Sequence, residues 1–179
     1  MSKKLPSREQ AIQLLNKSGC SARVVRHCEA VAKLAVETAE TIRKRGLNVD
    51  ISLVEIGALL HDLGRSKTHS VDHAIAGAEI AESAGMPESV VSIIKSHVGG
   101  GITAKEAKEL GWPDNDVYIP FSVEEKIVSY ADKLIEKGKR VSVERTLKQL
   151  SKEAKPEAAK RVRALHEEID DLIWDSDKK

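Results

Sequence analysis

Residues 59–77, LLHDLGRSKTHSVDHAIAG, set an imidazole and a carboxylate side by side at His61 and Asp62 and return another histidine at His73. A neutral imidazole beside a carboxylate is a donor set for a hard or borderline divalent ion. The dipeptide gains weight only if matching groups stand on neighbouring elements, and two do. His27 lies three after Val24 and four before Val31, on the face where Val24, Cys28, Val31, Ala35, Ala39 and Ile42 recur. Asp132 falls four after Val128 and three before Ile135, within the stripe Val123, Ile127, Val128, Ala131, Leu134 and Ile135. Taken singly, His27 is either a hydrogen-bonded core histidine or a ligand, and Asp132 either a salt-bridge partner of a nearby cation or a ligand. Taken jointly, His27, His61, Asp62 and Asp132 are four metal-binding groups on three helices, each at an inner face or inner end. An ionised carboxylate removed from water costs several kcal/mol unless it is partnered, and a divalent cation ringed by imidazoles offsets that cost.

Helices must position these groups, and the chain supplies helix signals throughout, with no strand pattern and no internal repeat. Ser7 and Gln10 make a capping-box pair, and Gly19 ends the first short helix. A long amphipathic helix follows over 21–45, closed by Gly46. Ser52 and Glu55 make a second capping-box pair, opening the helix that delivers His61 and Asp62. Leu53, Ile56 and Leu60 are its buried stripe, and Gly64 ends it as a residue that tolerates positive φ. A polar loop leads to a helix from 72 or 73 to 84, stopped by Gly85, and to another from Pro87 to about 98, with His97 near its end. Gly99, Gly100 and Gly101 break that helix in a loop suited to bordering a pocket. Thr103 and Glu106 cap a short helix ended by Gly111, and 112–121 is an irregular connection. Ser122 and Glu125 cap the helix carrying Asp132. Beyond Gly138 two amphipathic helices, 141–152 and 156–174, precede a charged tail. The expected fold is all-α.

With 179 residues, one domain over 1–179 is expected, large enough to bury a core without disulfides or a structural metal. Charge is balanced, with 29 Lys and Arg against 28 Asp and Glu, so total charge makes no case for nucleic acid or an acidic membrane as the main partner; a local basic patch stays open. Cys20 and Cys28 are too few and wrongly spaced for a zinc knuckle or a redox pair, and read as small, partly buried residues. The N-terminus MSKKLPSREQ lacks the apolar core of a signal peptide, and no run approaches the ~18 apolar residues of a membrane span. A reduced, cytoplasmic location is expected.

A histidine on one helix, a His-Asp dipeptide ending the next and a later aspartate resemble the HD superfamily of metal-dependent phosphohydrolases. HDLGR looks like the HDIG variant of the motif, and HAIAGAEIAESAG followed by VVSIIKSHVGG is similar to the rest of the HDIG pattern. EKIVSYADKL resembles the segment bringing the final aspartate, so the likeness covers about 26–134. It implies an HD-domain helical bundle with a core at about 21–137 and added helices over 138–174. It implies that His27, His61, Asp62 and Asp132 hold one ion and that His73 and His97 hold a second, with Asp62 bridging. Their bland counterparts are an exposed helix-start histidine and a C-terminal histidine favoured by the helix dipole, so one ion or two stays open. Some relatives carry a further histidine where this chain has Val98.

Arg65 stands where HDIG relatives often carry Lys, which implies a substrate phosphate clamp; its alternative is a surface arginine. Lys67 is a weaker phosphate candidate, and His69 and His166 read as ordinary loop and helix residues. The resemblance implies hydrolysis of a phosphate ester or anhydride bond in a nucleotide or other small phosphorylated metabolite. Asp62 would orient or deprotonate the attacking water. The cofactor is Mn, Fe, Zn, Co, Ni or Mg, and a homodimer through the C-terminal helices is compatible with it. Alternatives are a diadenosine polyphosphate hydrolase, an HDIG-type ribonuclease, or a non-catalytic module that binds metal or nucleotide.

Overall fold

The computed structural model describes residues 4–114 and 116–174. Helices dominate: α1 (Arg8–Lys17), α2 (Ala22–Lys44), α3 (Ile51–Leu60), α4 (His73–Ser83), α5 (Glu88–Ser96), α6 (Ala104–Leu110), α7 (Val123–Lys133), α8 (Val143–Lys152) and α9 (Pro156–Ile173). None of the described helices is long and apolar enough to cross a membrane.

The helix starts follow local chemistry. Ser7, Ser21, Thr103 and Ser122 each accept a hydrogen bond from a backbone N–H three residues on, at the starts of α1, α2, α6 and α7. The start of α3 departs from expectation. Asp50, not Ser52, is the cap: its carboxylate accepts from the Leu53 N–H, so the helix begins at Ile51, ahead of Ser52. Pro87 likewise precedes α5 as its cap, and the helix ends at Ser96 rather than 98.

α3 is also buried more widely than one stripe, with Val54, Ile56, Gly57, Ala58, Leu59 and Leu60 all inside. It is the central rod. It packs against α1, α2, α5 and α7, so nearly every face meets another helix. α4 packs on α5 and on the 3₁₀ turn Leu63–Ser66, while α8 and α9 pack on each other and α9 also covers α7. One continuous core runs from Ala11 and Leu15 through Ile42, Leu59, Ile94 and Ile127 to Ile169.

Gly64 was expected to end α3 through a positive φ, and it does not. It sits inside the 3₁₀ turn, and what it supplies is the absence of a side chain: a Cβ there would stand 1.9 Å from the His73 carbonyl oxygen and 2.5 Å from the Gly77 nitrogen. The chain also forms a small hairpin, Ile135–Glu136 with Lys139–Arg140. Lys137 and Gly138 turn it with φ of 51° and 76°, the two positive φ values of the tight hairpin turn. Two residues per strand are too short to show alternation in the sequence.

The irregular connection over 112–121 is anchored at two of its described residues. Trp112 and Tyr118 pack with Ala74, Ile102 and Ala107, and the Trp112 indole N–H donates to Asp72 at 2.8 Å, just before His73.

Candidate active site

Five chain segments bring their ends to one place. His27 comes from the first turns of α2, His61 and Asp62 follow α3, His73 opens α4, His97 follows α5, and Asp132 lies in the last turn of α7. All six sequence-derived candidates thus meet. The close crossing of Gly64 over Gly77 and the His73 carbonyl draws the His61–Asp62 corner onto the start of α4.

Asp62 lies in the middle. Its Oδ1 is 3.1 Å from His73 Nε2 and 3.6 Å from His97 Nε2, while Oδ2 is 3.9 Å from both His27 Nε2 and His61 Nε2. Asp132 Oδ1 is 3.0 Å from His27 Nε2 and 3.4 Å from His61 Nε2. Among the described residues three groups of possible ligand atoms, each within 4.8 Å, emerge: His27, His61 and Asp62; Asp62, His73 and His97; and His61, His97 and Asp132.

Tautomers follow from the second ring nitrogens. His61, His73 and His97 each point Nδ1 at the carbonyl three residues earlier, Ala58 at 2.6 Å, Ser70 at 2.7 Å and Ile94 at 2.7 Å. A carbonyl only accepts, so each Nδ1 carries the hydrogen, and in the neutral ring each Nε2 is a bare lone pair facing the centre. This produces two frustrated contacts. His73 Nε2 and His97 Nε2 face each other at 3.0 Å as two acceptors, and His61 Nε2 is buried without a hydrogen-bond partner among the described residues. Buried polar atoms are ordinarily satisfied. A cation satisfies all three nitrogens together, so these donors fit one or two divalent ions.

The ionisation pattern suits the same purpose. Burial alone would raise the Asp62 carboxyl, but His61, His73 and His97 outweigh it and hold Asp62 well below the usual range. Asp132 is also held low, because Lys133, His27 and His61 outweigh its burial. Both carboxylates are therefore charged. For His61, burial works against the proton, yet Asp62 and Asp132 raise it overall. Burial pushes His97 from 6.5 down to about 4.

His97 gives a stability prediction for the metal-free protein. Its folded pKa lies below its unfolded one, so the unfolded chain takes the proton first and stability is lost as pH falls from 6.5 toward about 4. His97→Asn removes this dependence. Urea unfolding is expected to show the wild-type advantage over the variant shrinking by about 2 to 3 kcal/mol between pH values of about 7.5 and 4.5. A difference that does not change with pH would refute a buried, neutral ring.

Arg65, in the 3₁₀ turn, donates from Nε to Asp62 Oδ1 at 3.2 Å and from Nη1 to the His69 carbonyl at 2.7 Å. It is not a free surface arginine. A cavity of about 1570 Å³ opens over the centre and is bordered by His27, Asp62, Arg65 and Asp132. A second, of about 650 Å³, reaches the other side along His73 and His97 and is partly apolar, with Val71, Val98, Ile102 and Leu150. Arg65, His69, Asp132, Lys133 and Leu150 border both, so α8 roofs the centre from above.

The HD domain family model matches residues 24–137, the span that carries all six converging residues. The chain belongs to the HD domain family. This HD protein is 44% identical to an uncharacterized protein of Methanocaldococcus jannaschii over 167 residues, 92% of this chain and 98% of that one. It is 38% identical to the tRNA (cytidine(56)-2'-O)-methyltransferase of Picrophilus torridus over 95% of its length, but spans only 48% of that relative. A shorter match, 44% over 71 residues, joins it to ribonuclease Y of Acidothermus cellulolyticus, covering 37% of this chain and 14% of the other. Among solved structures, the HD domain of the L. monocytogenes phosphodiesterase PgpH in complex with cyclic-di-AMP shares the fold, with a TM-score of 0.53 and 18% identity over 92% of this chain and 93% of that one.

Sequence reasoning about this HD domain missed Lys133 and His69. Lys133 Nζ sits 2.6 Å from Asp132 Oδ2 and faces both cavities. Its signal was its place beside Asp132 at a helix end, where successive side chains can turn to one cavity. His69 read as an ordinary loop residue and in fact borders both cavities. His166 stays outside the centre, paired through Nδ1 with the Tyr130 hydroxyl at 2.7 Å. Cys20 and Cys28 are buried thiols, both pushed up by burial and by the Asp62 charge.

Proposed function

We propose that this HD protein is a divalent-metal-dependent phosphohydrolase that cleaves a phosphate ester or anhydride bond in a nucleotide or another small phosphorylated compound. The observation that carries the reading is Asp62, whose two oxygens face two different sets of imidazoles under an open, cation-rich cavity. His27, His61, Asp62 and Asp132 would hold one ion, and Asp62, His73 and His97 the other. Ions bound there would supply Lewis-acid polarisation of the phosphoryl group and acidify a water molecule.

The chain's own groups do the rest. Asp62, charged at neutral pH, would accept a hydrogen bond from the attacking water and so orient it. Arg65 is tethered by Nε and Nη1, which leaves Nη2 without a hydrogen bond among the described residues and able to donate to a phosphate oxygen. Lys133 neutralises a second phosphate oxygen from the Asp132 side. The partly apolar cavity beside His73 and His97 accepts a nucleoside, which supports a nucleotide over a bare phosphate. The core over 21–137 carries the chemistry, and the helices over 138–174 roof it. Ribonuclease Y and the phosphodiesterase PgpH are both named for reactions at nucleotide phosphates, which supports the same class.

The test is to strip the protein with a chelator, reload it with Mn, Fe, Co, Ni, Zn or Mg singly, and measure phosphate or nucleotide release from nucleotides, dinucleoside polyphosphates and phosphodiesters. The stripped protein is expected to be inactive and at least one reloaded form active. A protein that takes up metal and hydrolyses none of these substrates is a binding module, and the proposal fails.

A further inference from the structure

Among the described residues, nine Lys and Arg border the 1570 Å³ cavity against three Asp and Glu, and two of those three are Asp62 and Asp132. The other described residues therefore hold 17 cations against 23 anions, a net charge of −6. The near-neutral total conceals a strong segregation of charge. Random scatter of surface lysines would not leave the remainder acidic.

The cations come from separate elements and share one concavity. Arg23 and Arg26 stand one turn apart in α2, immediately before His27. Lys137 and Lys139 come from the hairpin turn. α8 contributes Arg145, Lys148 and Lys152, spaced three and four apart on one face, a stripe about 10 Å long at ~1.5 Å per residue. Arg65 and Lys133 lie at the catalytic end. Arg145 is paired with Glu136 at 2.7 Å, and Arg65 and Lys133 with the two centre aspartates. The other six side chains make no ion pair or hydrogen bond among the described residues. Unpaired like charges gathered in a concavity repel one another and focus a positive field into it.

One phosphate needs two or three of these groups, not nine. The cavity also exceeds the ~300–1,000 Å³ of a small-molecule site. Among the described residues its border has no Phe, Tyr or Trp and nine cations, so contacts with phosphates outnumber those with bases. The aspartates lie at its bottom, with Asp62 only 7% exposed, where a phosphate held in a duplex cannot reach. We infer that this trough binds the sugar-phosphate backbone of a single-stranded nucleic acid, without sequence preference, and leads one of its phosphates to the His/Asp centre. Hydrolysis of that phosphate rests on the proposed function; binding does not.

Fluorescence anisotropy with labelled oligouridylates of 2 to 12 nucleotides, in the presence of chelator, tests binding without turnover. Affinity is expected to rise at least tenfold from dimer to dodecamer and to fall steeply with salt. Lys148→Glu with Lys152→Glu is expected to weaken dodecamer binding at least tenfold and to flatten the salt slope by about 1.4, the share of two phosphate contacts on a single strand. Lys33→Glu with Lys105→Glu changes the net charge equally at positions outside both cavities and is expected to bind as wild type does. Equal losses in the two double variants, affinity independent of length, or equally tight binding of a nucleoside tetraphosphate would each overturn the inference. An enzyme inactive in every hydrolysis assay, yet showing length-dependent binding, would refute only the hydrolytic reading.

Discussion

Asp62→Ala is expected to lower phosphate release by at least about 10³-fold, ~4 kcal/mol of transition-state stabilisation, and to cut bound metal to at most one ion per chain. The magnitude follows from geometry. Asp62 gives one oxygen to the His73 and His97 side and the other to the His27 and His61 side. Replacing any single histidine removes one donor from one set, whereas replacing Asp62 removes the charged donor from both. Asp132 cannot substitute for it, because its Oδ1 faces His27 and His61 while Oδ2 is taken by Lys133. The variant should still fold, since Asp62 lies outside the apolar core. Metal content by mass spectrometry, far-ultraviolet circular dichroism and phosphate release on the same sample check the three statements. A folded variant retaining two ions and wild-type turnover would remove Asp62 from the mechanism.

How far this centre could be read from the chain depends on the kind of signal each residue leaves. His27 and Asp132 were legible because each interrupts an apolar repeat at core spacing, and a polar group there needs a partner. His61 and Asp62 were legible as a polar pair at the end of an apolar helix. His73 and His97 leave weaker traces, since helix-end histidines have simpler explanations, and only the resemblance singled them out. Their shared bond from Nδ1 to the carbonyl three residues back depends on local turn geometry that no spacing rule reveals. The helical fold was legible from caps and periodicity. The hairpin was not, because two paired residues per strand carry no pattern and the turn is specified by backbone torsion at Lys137 and Gly138. The basic trough was hidden most completely. Its cations sit on α2, the Leu63–Ser66 turn, α7, the hairpin and α8, each ordinary on its own element, and only tertiary packing collects them.

Gly64→Ala is expected to destabilise the protein by more than about 3 kcal/mol and to abolish metal binding, although no metal donor is altered. A new methyl at Gly64 would lie 1.9 Å from the His73 carbonyl oxygen, 2.5 Å from the Gly77 nitrogen and 2.8 Å from the His73 carbonyl carbon. Each of these is backbone, which cannot move aside as a side-chain tip can. Relief requires α4 to back away from the 3₁₀ turn, and His73 is the first residue of α4. The shift thus widens the 3.1 Å separation of His73 Nε2 from Asp62 Oδ1, so stability and site fail through one displacement. Two other glycines calibrate the claim. At Gly77 the nearest atoms are the Gly64 nitrogen at 2.9 Å and an Ile94 methyl at 3.0 Å, so Gly77→Ala should show the same defects more mildly. At Gly57 the clash is with the Ile93 side chain alone, at 2.4 Å from its terminal methyl, so Gly57→Ala should cost stability through repacking but leave metal binding intact. Thermal unfolding with and without metal ranks the three. If Gly64→Ala keeps its metal-dependent rise in Tm while Gly57→Ala loses it, the crossing of Gly64 over Gly77 is not what positions the centre.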